Sequence, residues 1–416
     1  MMFEKKGYET IIRELFAMRR HGIRPALEPA KRFLEILGNP QNRFRTFHIA
    51  GTNGKGSTTA MIASILKGAG YHTGAYYSPH VSDFRERFLL DGRFFPKREV
   101  ADTLRWMGGK YESAKGRPEF LTFFEWGTAL AFCLFARAGV DAAVLETGMG
   151  GNFDATNVVT PEVAVITNVS LEHTAILGRT KMEIAAEKGG IIKTGKPVVC
   201  GDPAAAVKNA IRKIAVKRKS EPFFLGADFR ISKSGLFTAA NGAEFTLLPS
   251  MAGDYQRKNA ALAAQAVICA SHFHVSKDAI ENGIAKAVLP GRFEVVATGG
   301  REVIFDVAHN PAAIVELAKL LRRKGQKFDF VVGILSDKDY RRMIKTLAPL
   351  ASRMYCVAPG DERAIPATLL CATAKSFGVS AIALASPADV PLSGKAPLCV
   401  TGSFTTVEAV KKLLPK

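Results

Sequence analysis

Short apolar runs alternate with helix-like stretches along most of the chain. Four of these runs are predicted to be buried strands: RTFHIA (45–50), DAAVLETG (141–148), EVAVITNV (162–169) and KPVVCG (196–201). Apolar runs separated by helices are typical of a parallel sheet covered by helices. Each run ends in a polar or glycine-rich segment, and open α/β sheets bind ligands at the carboxyl ends of their strands. The pattern therefore predicts an α/β fold with a ligand site at that edge.

The pattern changes in the second half of the chain. Residues 222–250 alternate apolar and polar positions around the turn-forming SKSG and NGAE, which predicts a small antiparallel insert. Helix-like sequence resumes at 254–270 and 276–287. It ends at Pro290-Gly291, a dipeptide that marks turns.

The chain is predicted to form two domains, because 416 residues would be unusually many for one. The N-terminal domain, 1–290, is expected to hold an open, mostly parallel sheet. After Pro290-Gly291 the α/β alternation starts afresh, from EVIFDVAH to the closing helix TTVEAVKKLL. Residues 291–416 are therefore predicted to form a smaller, Rossmann-like α/β domain.

Composition narrows the class of protein. With 47% hydrophobic and 23% charged residues the chain can bury a large core, which excludes a disordered or fibrous protein. Six cysteines are scattered without a C-x-x-C pair, as expected of buried thiols in a reducing compartment. No run resembles a signal peptide or a membrane span, so a cytoplasmic location is expected.

The net charge of +19 is compatible with nucleic acid, an acidic membrane surface or small anionic substrates. The longest basic stretch, KNAIRKIAVKRKS at 208–220, spaces its charges among apolar residues and has no interleaved aromatic residues. This pattern favours one helix with a solvated face over a nucleic-acid site. We therefore expect small polyanionic ligands, with neither nucleic acid nor membrane as a partner.

A glycine-rich loop, GTNGKGST at 51–58, lies between the first predicted strand and the helix-like TAMIASILKGAG. Glycines let backbone N–H groups face a phosphate, and the start of a helix adds partial positive charge. Lys55 is expected to reach the β- and γ-phosphates, and Ser57 or Thr58 to ligate Mg²⁺. The alternative is a turn with a chance lysine, which the strand and helix on either side disfavour.

The spacing of this loop is not G-x-x-x-x-G-K-[ST], because Gly56 separates Lys55 from Ser57 and Ile49 stands five positions before Gly54. GTNGKGS is instead similar to the loop of the Mur-type ATP-dependent amide ligases. From this loop on, the chain resembles one branch of them, the folylpolyglutamate synthase / dihydrofolate synthase family. Matching segments run in order along nearly the whole chain: SPH, ER and Gly92, LTFFE, LETGMGGNFDATN, TNVSLEHTAILG, AAEKGGIIK, GDYQRKNAALA, PGRFEVV, DVAHNP, SDKD and VTGSF.

The resemblance implies an N-terminal P-loop domain and a C-terminal α/β domain, both of Mur-ligase type, and two Mg²⁺ sites. Ser57, Glu146 and His173 would be metal ligands, which are hard or borderline donors. Taken alone, Glu146 reads equally well as a solvated strand-end carboxylate, and His173 as a capping or core histidine. The expected catalytic residues are Lys55, His173 and Lys188.

Lys188, in AAEKGG, matches a lysine that this family carries as a carbamate, whose carboxylate holds the second Mg²⁺. Taken alone, it reads as a surface charge or a cation at a helix C-terminus. Carbamylation needs a neutral amine, so the resemblance implies that desolvation or nearby positive charge lowers the pKa of Lys188.

The resemblance also implies sites for nucleotide and for folate. The expected ATP-binding residues are Thr52, Asn53, Gly54, Lys55, Gly56, Ser57, Thr58, Asn259, Arg292, Asp306 and His309. Alternatively, Asp306 is merely a strand-end carboxylate, and Asn310-Pro311 merely starts a helix. The expected folate-binding residues are Ser78, His80, Arg87, Thr122, Phe124 and Asp154.

Within the folate site, Phe124 would stack on the pterin ring and Asp154 would accept hydrogen bonds from its donor edge. The alternative is that both aromatic residues of LTFFEW pack in the core. The chain departs from the family pattern at two positions: Asn152 stands where arginine is common, and Asp83 where a basic residue is frequent. Arg85 or Arg87 would have to compensate.

The implied reaction is ATP-dependent amide formation. A folate or dihydropteroate carboxylate takes the γ-phosphate to give an acyl phosphate, and the amine of L-glutamate then attacks the acyl carbon. The protein is expected to be a monomer. One alternative is a ligase for a peptidoglycan precursor, which gives no reason for TFFE or the SPH and ER segments. Another is a P-loop ATPase without ligase chemistry, which has no need of the Asp-His-Asn cluster at 306–310.

Overall fold

The computed structural model describes residues 2–18 and 26–414. They fall into two compact units. The first consists of Met1–Ser78, Phe84–Ser250 and Gln256–Val288, and the second of Pro79–Asp83, Met251–Tyr255 and Leu289–Lys416. The main division follows Val288, close to the predicted boundary at 290, and two short segments join the second unit.

The first unit contains a mixed sheet and a small separate one, as far as the described residues show. The strands of the mixed sheet are β1 (Arg45–Ala50), β2 (Thr73–Tyr76), β3 (Phe88–Leu90), β4 (Arg93–Phe94), β5 (Ala142–Glu146), β6 (Val163–Ile166), β7 (Val198–Cys200) and β8 (Pro222–Phe224). Their order is β4-β3-β2-β5-β1-β6-β7-β8, and only the pairs β2–β3 and β3–β4 are antiparallel. Four of the strands match the predicted apolar runs.

The small sheet is antiparallel and comprises β9 (Arg230–Ile231), β10 (Leu236–Thr238) and β11 (Glu244–Thr246). It corresponds to the predicted insert at 222–250, but its beginning was predicted wrongly. Residues Pro222–Phe224 form β8, which lies parallel to β7 in the mixed sheet. The reason is that β8 follows a helix, and a strand-helix-strand crossover returns the chain in the parallel direction.

Helices flank the mixed sheet. They are α1 (Tyr8–Ala17), α2 (Glu28–Ile36), α3 (Lys55–Gly68), α4 (Lys97–Ser113), α5 (Phe123–Ala138), α6 (Thr174–Leu177), α7 (Lys181–Lys188), α8 (Ala205–Lys217), α9 (Asp254–Cys269) and α10 (Lys277–Lys286). The basic helix α8 buries Val207, Ala210, Ile211 and Ala215 and leaves most of its charges at the surface, as predicted. None of the helices in the described part of the chain is long and apolar enough to span a membrane.

The strands at the centre of the mixed sheet place the candidate site. β1 pairs with β5 on one side, where Ile49 lies opposite Glu146, and with β6 on the other, where Ala50 lies opposite Ile166. All residues of β5 and β6 are buried, which explains why these strands read as continuous apolar runs. The carboxyl ends of β5, β1 and β6 therefore lie side by side at one sheet edge.

The second unit is an α/β sheet with four helices among its described residues. Its strands are β12 (Glu294–Thr298), β13 (Arg301–Phe305), β14 (Phe328–Val332), β15 (Ala351–Cys356), β16 (Ala381–Ala383) and β17 (Leu398–Thr401), in the order β12-β13-β17-β14-β15-β16. Its helices are α11 (Pro311–Arg323), α12 (Tyr340–Leu347), α13 (Ala367–Ser376) and α14 (Phe404–Lys411). The predicted α/β fold with a second α/β domain is confirmed, while edge strands β12 and β16 were not predicted.

Candidate functional site

The glycine-rich loop at 51–58, called the phosphate loop from here on, follows β1. The segment that follows β6 holds it in place. The Thr167 hydroxyl and the Asn168 side-chain amide both donate to the carbonyl oxygen of Asn53, each at 2.7 Å. The backbone N–H of Thr52 donates to the Asn168 carbonyl at 2.9 Å. Gly51 is required here, because a Cβ at this position would lie 1.9 Å from Thr167 Oγ1. The loop is therefore fixed by the protein itself.

The loop runs directly into helix α3. Gly54 takes a left-handed conformation at the N-cap, where no side chain caps the helix. The first intrahelical bond joins the N–H of Thr58 to the carbonyl of Gly54 at 2.9 Å. By helix geometry, the N–H groups of residues 55–57 have no acceptor inside the helix. Such a helix start attracts an anion, so this part of the structure can bind a phosphate.

Two amide side chains of α9 contact the loop. A Cβ on Gly54 would lie 2.5 Å from Oδ1 of Asn259, so Asn259 touches the loop backbone. Asn259 donates to Gln256 Oε1 at 2.9 Å, and Gln256 donates to Ser57 Oγ at 3.2 Å. Sequence reasoning found Asn259 but missed Gln256. The available signal was the spacing of the two amides, which places them on one face of the helix.

Two lysines converge on the loop. Lys55 Nζ donates to the Thr52 carbonyl at 3.2 Å. Lys188, only 1% exposed, donates to the Gly51 carbonyl at 2.9 Å and to Glu172 Oε1 at 3.0 Å. The interpretation of Lys188 as a surface charge is therefore wrong. Glu172 was not predicted, although it lies in the quoted segment TNVSLEHTAILG.

The pKa values of this cluster follow from burial and charge. Burial lowers the pKa of Lys188, the positive charge of Lys55 lowers it further, and Glu172 opposes both effects. Burial acts to raise the pKa of Glu172, but the Lys188 and Lys55 ammonium groups hold it at about 2. Carbamylation requires a lowered lysine pKa, and the pKa of Lys188 is lowered.

Glu146 ends β5, and His173 lies in the segment that follows β6, on the other side of β1. Glu146 is buried and accepts a hydrogen bond from the backbone N–H of Ser78 at 3.2 Å. It is therefore not a solvated strand-end carboxylate. His173 precedes α6 in a left-handed conformation, and its side chain does not cap that helix. The alternative of a capping histidine is thus excluded.

The side chains at this sheet edge include candidate ligands for Mg²⁺. No three His, Cys, Asp or Glu side chains of the described residues form a metal cluster by themselves. The Ser57 hydroxyl and the Glu146 carboxylate are oxygen donors of the kind that Mg²⁺ prefers, and substrate phosphates usually supply further ligands. Thr58 adds a buried hydroxyl without a hydrogen-bond partner within the described ranges. The side chains fit Mg²⁺, with Lys188 contributing an oxygen only as a carbamate.

A second group of residues surrounds the start of α5. Thr122 caps this helix, accepting from the N–H of Glu125 at 3.2 Å, while Glu125 accepts from the N–H of Thr122 at 2.6 Å. Phe123 is buried and Phe124 half-buried, so the two rings do not share one environment. A Cβ on Gly148 would lie 2.5 Å from Phe124 Cζ, so this glycine leaves room for the ring.

Asp154 lies in the glycine-rich turn that includes Gly148. Its Oδ1 accepts from the backbone N–H of Thr156 at 3.1 Å and from the Thr156 hydroxyl at 2.5 Å. Its Oδ2 accepts from the backbone N–H of Met149 at 2.9 Å. Burial raises the pKa of Asp154, and these hydrogen bonds oppose the increase. The turn therefore holds the carboxylate in a fixed orientation.

The SPH and ER segments divide between the two units. Arg87 is buried in the first unit, where it donates to Ser78 Oγ at 3.4 Å and stands 5.0 Å from the centre of the Phe123 ring. His80 and Asp83 belong to the segment grouped with the second unit. Ser78 and Arg87 are thus brought together, next to the aromatic pair.

Asn152, where the family commonly has arginine, contacts the end of α7. Its backbone N–H donates to the Glu187 carbonyl at 3.0 Å, and a Cβ on Gly190 would lie 2.5 Å from its Cα. The glycine-rich turn therefore lies against the helix that carries Lys188.

The remaining predicted residues lie in the second unit. Asp306 is buried and accepts hydrogen bonds from the backbone N–H groups of Phe293 and Ala308, both at 2.9 Å. Burial raises the pKa of Asp306 to about 6, and the positive charge of Arg292 opposes this increase. Asp306 is more than a solvated strand-end carboxylate. His309 Nδ1 donates to the carbonyl of Val307 at 2.9 Å. Asn310 caps α11 through the N–H of Ala313 at 2.9 Å, with Pro311 in the first turn, as the helix-start reading expected.

The chain matches known proteins over most of its length. Residues 49–267 match the Mur ligase middle domain, and residues 291–390 match the Mur ligase, glutamate ligase domain. It is 38% identical over 375 residues to the dihydrofolate synthase/folylpolyglutamate synthase of Escherichia coli, covering 88% of this chain and 86% of that protein. The chain is also 38% identical to a probable bifunctional folylpolyglutamate synthase/dihydropteroate synthase of Haloferax volcanii. That match covers 84% of this chain but only 43% of the longer relative.

Solved structures agree with these sequence matches. E. coli FolC in complex with DHPP and ADP superposes with a TM-score of 0.86 and 31% identity, covering 98% of each chain. The bifunctional folylpolyglutamate synthase/dihydrofolate synthase of Yersinia pestis, complexed with AMPPNP and an Mn ion, superposes with a TM-score of 0.84 and 30% identity, again covering 98% of each chain.

Proposed function

This chain belongs to the folylpolyglutamate synthase / dihydrofolate synthase family of the Mur ligases and is an ATP-dependent ligase, and we propose that it joins L-glutamate to the carboxylate of a folate or of dihydropteroate. The observation that carries the proposal is the contact of the buried Lys188 with the phosphate loop at Gly51. A P-loop that only binds or hydrolyses nucleotide has no need of a desolvated lysine against its first glycine. A lysine poised for carbamylation next to the phosphate site suits a ligase of this family.

Lys188 is proposed to act as a carbamate. Its neutral amine adds to the carbon of CO₂, forming an N–C bond, and a proton is released to solvent. The product carries one negative charge in place of the ammonium. Burial and the charge of Lys55 supply the depressed pKa that makes the neutral amine accessible. Ser57, Glu146, His173 and the carbamate would hold magnesium, which when bound offsets charge on the phosphates.

ATP is proposed to bind at the start of α3. The N–H groups of residues 55–57 and the Lys55 ammonium would receive the β- and γ-phosphates. Thr52, Asn53 and Gly54 form the loop itself, Thr58 follows in the helix, and Asn259 supports the loop from α9. Arg292, Asp306 and His309 are proposed as further nucleotide-binding residues.

The reaction is proposed to proceed in two displacements. An oxygen of the substrate carboxylate attacks the γ-phosphorus, the bond to the β-phosphate oxygen breaks, and ADP leaves. The amine of glutamate then attacks the acyl carbon of the acyl phosphate, loses a proton, and displaces inorganic phosphate. Lys55 would offset the charge on the migrating phosphoryl group, and positioning of the reactants supplies much of the rate.

The pterin-bearing substrate is proposed to bind next to α5. Phe124 would stack on the ring while Asp154 accepts hydrogen bonds from its amino and ring N–H groups. Ser78, His80, Arg87 and Thr122 would line the remainder of the site. A monomer in the cytoplasm is part of the same proposal.

Release of ADP tests the function. The purified protein is supplied with ATP, Mg²⁺ and L-glutamate, and in turn with dihydropteroate, tetrahydrofolate and a peptidoglycan nucleotide precursor. We expect ADP release over many turnovers only when glutamate and a pterin acceptor are both present. Release over many turnovers with neither of them would indicate a plain ATPase, and release with the peptidoglycan precursor but with neither pterin would indicate the other ligase class.

Lys55→Ala isolates the role of the loop in the same assay. It is expected to lose at least about a hundredfold in kcat/KM for ATP, because it removes a cation from several phosphate charges. Lys67→Ala is the matched control, since Lys67 lies at the surface of the same helix and donates to the Asp91 carbonyl. Equal activity of the folded Lys55→Ala variant and the control would contradict the loop assignment.

A further inference from the structure

A buried histidine is linked to Asp154 by a chain of two side-chain hydrogen bonds. His48, in the middle of β1, has no exposed surface, and its Nε2 lies 2.8 Å from Oγ1 of Thr156. The same Thr156 hydroxyl lies 2.5 Å from Oδ1 of Asp154. All three side chains are buried. The connection joins the strand that carries the phosphate loop to the glycine-rich turn.

The direction of both hydrogen bonds follows from Asp154. Its two oxygens already accept from the backbone N–H groups of Thr156 and Met149, so the carboxylate serves as an acceptor. The 2.5 Å distance matches that of a hydroxyl donating to an ionised carboxylate. Thr156 therefore donates to Asp154, and its oxygen accepts from His48. The network thus assigns the proton of the imidazole to Nε2.

The remaining nitrogen of His48 supports this assignment. Nδ1 has no hydrogen-bond partner within the described parts of the chain. A bare acceptor nitrogen there is preferable to a buried N–H without an acceptor, which proteins rarely tolerate. Burial, with a smaller effect of Lys193, lowers the pKa of His48 to about 3. The ring is thus neutral near pH 7 and cannot act as an acid in the reaction.

A histidine at this position costs stability, because its buried Nδ1 is unpaired among the described residues. Packing alone does not explain why the residue is a histidine. Its neighbours along β1, Phe47 and Ile49, are fully buried apolar residues, and an apolar side chain would avoid the unpaired Nδ1. What His48 supplies is one N–H donor to Thr156. Without that donor the Thr156 oxygen loses a partner, and among the described residues only the bond to Asp154 holds the hydroxyl in place.

We propose that His48 is a positioning residue for pterin recognition, which fixes the Thr156 hydroxyl and through it the orientation of the Asp154 carboxylate. The inference rests on the proposed pterin site. Thr156 binds Oδ1 of Asp154 through both its hydroxyl and its backbone N–H, so this contact sets the orientation of the carboxylate. His48 touches no substrate and acts only through Thr156.

Steady-state kinetics on the full chain tests the proposal, with dihydropteroate as the pterin substrate. Thr156→Val removes the hydroxyl at nearly constant volume and is expected to raise the KM for dihydropteroate about tenfold, equal to about 1.4 kcal/mol. The KM for ATP should stay within about twofold. Thr156→Ser keeps the hydroxyl and should restore the wild-type KM. His48→Leu removes the donor and is expected to raise the same KM about threefold to tenfold.

Thr46→Val is the matched control. Thr46 lies on β1 two positions before His48, is equally buried, and its hydroxyl has no hydrogen-bond partner in the described chain. Its removal should leave both KM values unchanged. If His48→Leu does not fold, Thr156→Val still tests the link. The proposal would be overturned if Thr156→Val and the control both raised the two KM values and lowered the melting temperature. That result would indicate a purely structural role.

A double-mutant cycle separates this inference from the proposed pterin site. In an Asp154→Asn background, His48→Leu should cause no further rise in the KM for dihydropteroate, since its effect passes through the carboxylate. Additive effects would overturn the positioning role. If Asp154→Asn alone leaves that KM unchanged, the proposed pterin site itself is wrong. If Asp154→Asn raises it while Thr156→Val and His48→Leu do not, only the inference about His48 fails.

Discussion

The ammonium of Lys188 lies 2.9 Å from the carbonyl oxygen of Gly51, although 137 residues separate them in the chain. Gly51 is the first residue of the phosphate loop, and Lys188 is the last residue of α7. The same ammonium contacts Glu172, which follows β6. One buried side chain therefore joins three segments at the sheet edge where the phosphates are proposed to bind.

Replacing Lys188 tests whether this contact is catalytic. Lys188→Ala is expected to reduce ADP release at least about a hundredfold, because it removes both the proposed carbamate and the partner of Glu172. A small carboxylate added to the assay should restore part of the activity. An intact mass measured under conditions that preserve CO₂ should show the adduct in the wild type and not in the variant.

Lys181→Ala is the control for this change, since Lys181 is exposed at the start of the same helix. It should retain full activity. If Lys188→Ala folds and releases ADP at the wild-type rate, Lys188 has no catalytic role.

Gly54 and Gly70, near opposite ends of α3, provide a matched pair for the phosphate loop. Both have positive φ, so alanine is strained at either position by about 1–2 kcal/mol. A Cβ on Gly54 would meet Asn259 Oδ1 at 2.5 Å, whereas one on Gly70 would meet nothing within 4 Å. Gly54→Ala should therefore raise the KM for ATP at least about tenfold while Gly70→Ala leaves it unchanged. Similar KM values for ATP in the two variants would show that contact with Asn259 does not matter.

Four strands of the mixed sheet were predictable because their environment is uniform, whereas the equally buried β2, with the sequence TGAY, was missed. β1 coincides with the predicted 45–50, and β5 and β6 lie within predicted runs, since strands buried on both faces carry apolar residues at every position. The edge strands β12 and β16 were missed. β12 alternates exposed and half-buried residues, and β16 is only Ala381–Ala383, so neither forms an apolar run.

Residues of the candidate site could be predicted only where they lie in a recognisable motif. The loop residues and Lys188 stand in recognisable segments, whereas His48 lies inside an apolar strand and reads as one more core position. Its partner Thr156 is 108 residues away. Which polar side chains meet in the core depends on strand pairing and turn geometry, and no periodicity along the chain encodes such a contact. Glu172 was missed for the same reason, whereas Gln256 could have been found from its spacing to Asn259 on α9.

The pH dependence of stability should reveal the buried Asp306. Its pKa is about 6 in the folded chain, against an ordinary value of 3.8. Between these values the folded chain holds a proton that the unfolded chain has released, so stability decreases as the pH rises from about 4 to about 6. The loss is of the order of 3 kcal/mol. It should appear as a decrease in the free energy of urea unfolding of the wild type relative to Asp306→Asn, which does not titrate. A difference between the two that stays constant over this range would contradict the raised pKa.

Phe124, on the aromatic side of the proposed pterin site, lies against Gly148. Phe124→Ala and Asp154→Ala should each raise the KM for dihydropteroate more than about tenfold while leaving that for ATP nearly unchanged, because a stacking surface or a hydrogen-bond acceptor is lost. Gly148→Ala should raise the same KM while keeping both side chains, since its Cβ would lie 2.5 Å from Phe124 Cζ and the ring must move. Gly109→Ala, where a Cβ meets nothing within 4 Å, is the control for adding a methyl group. Parallel losses for dihydropteroate and ATP would indicate a folding defect, and no loss for either would remove Phe124 and Asp154 from the site.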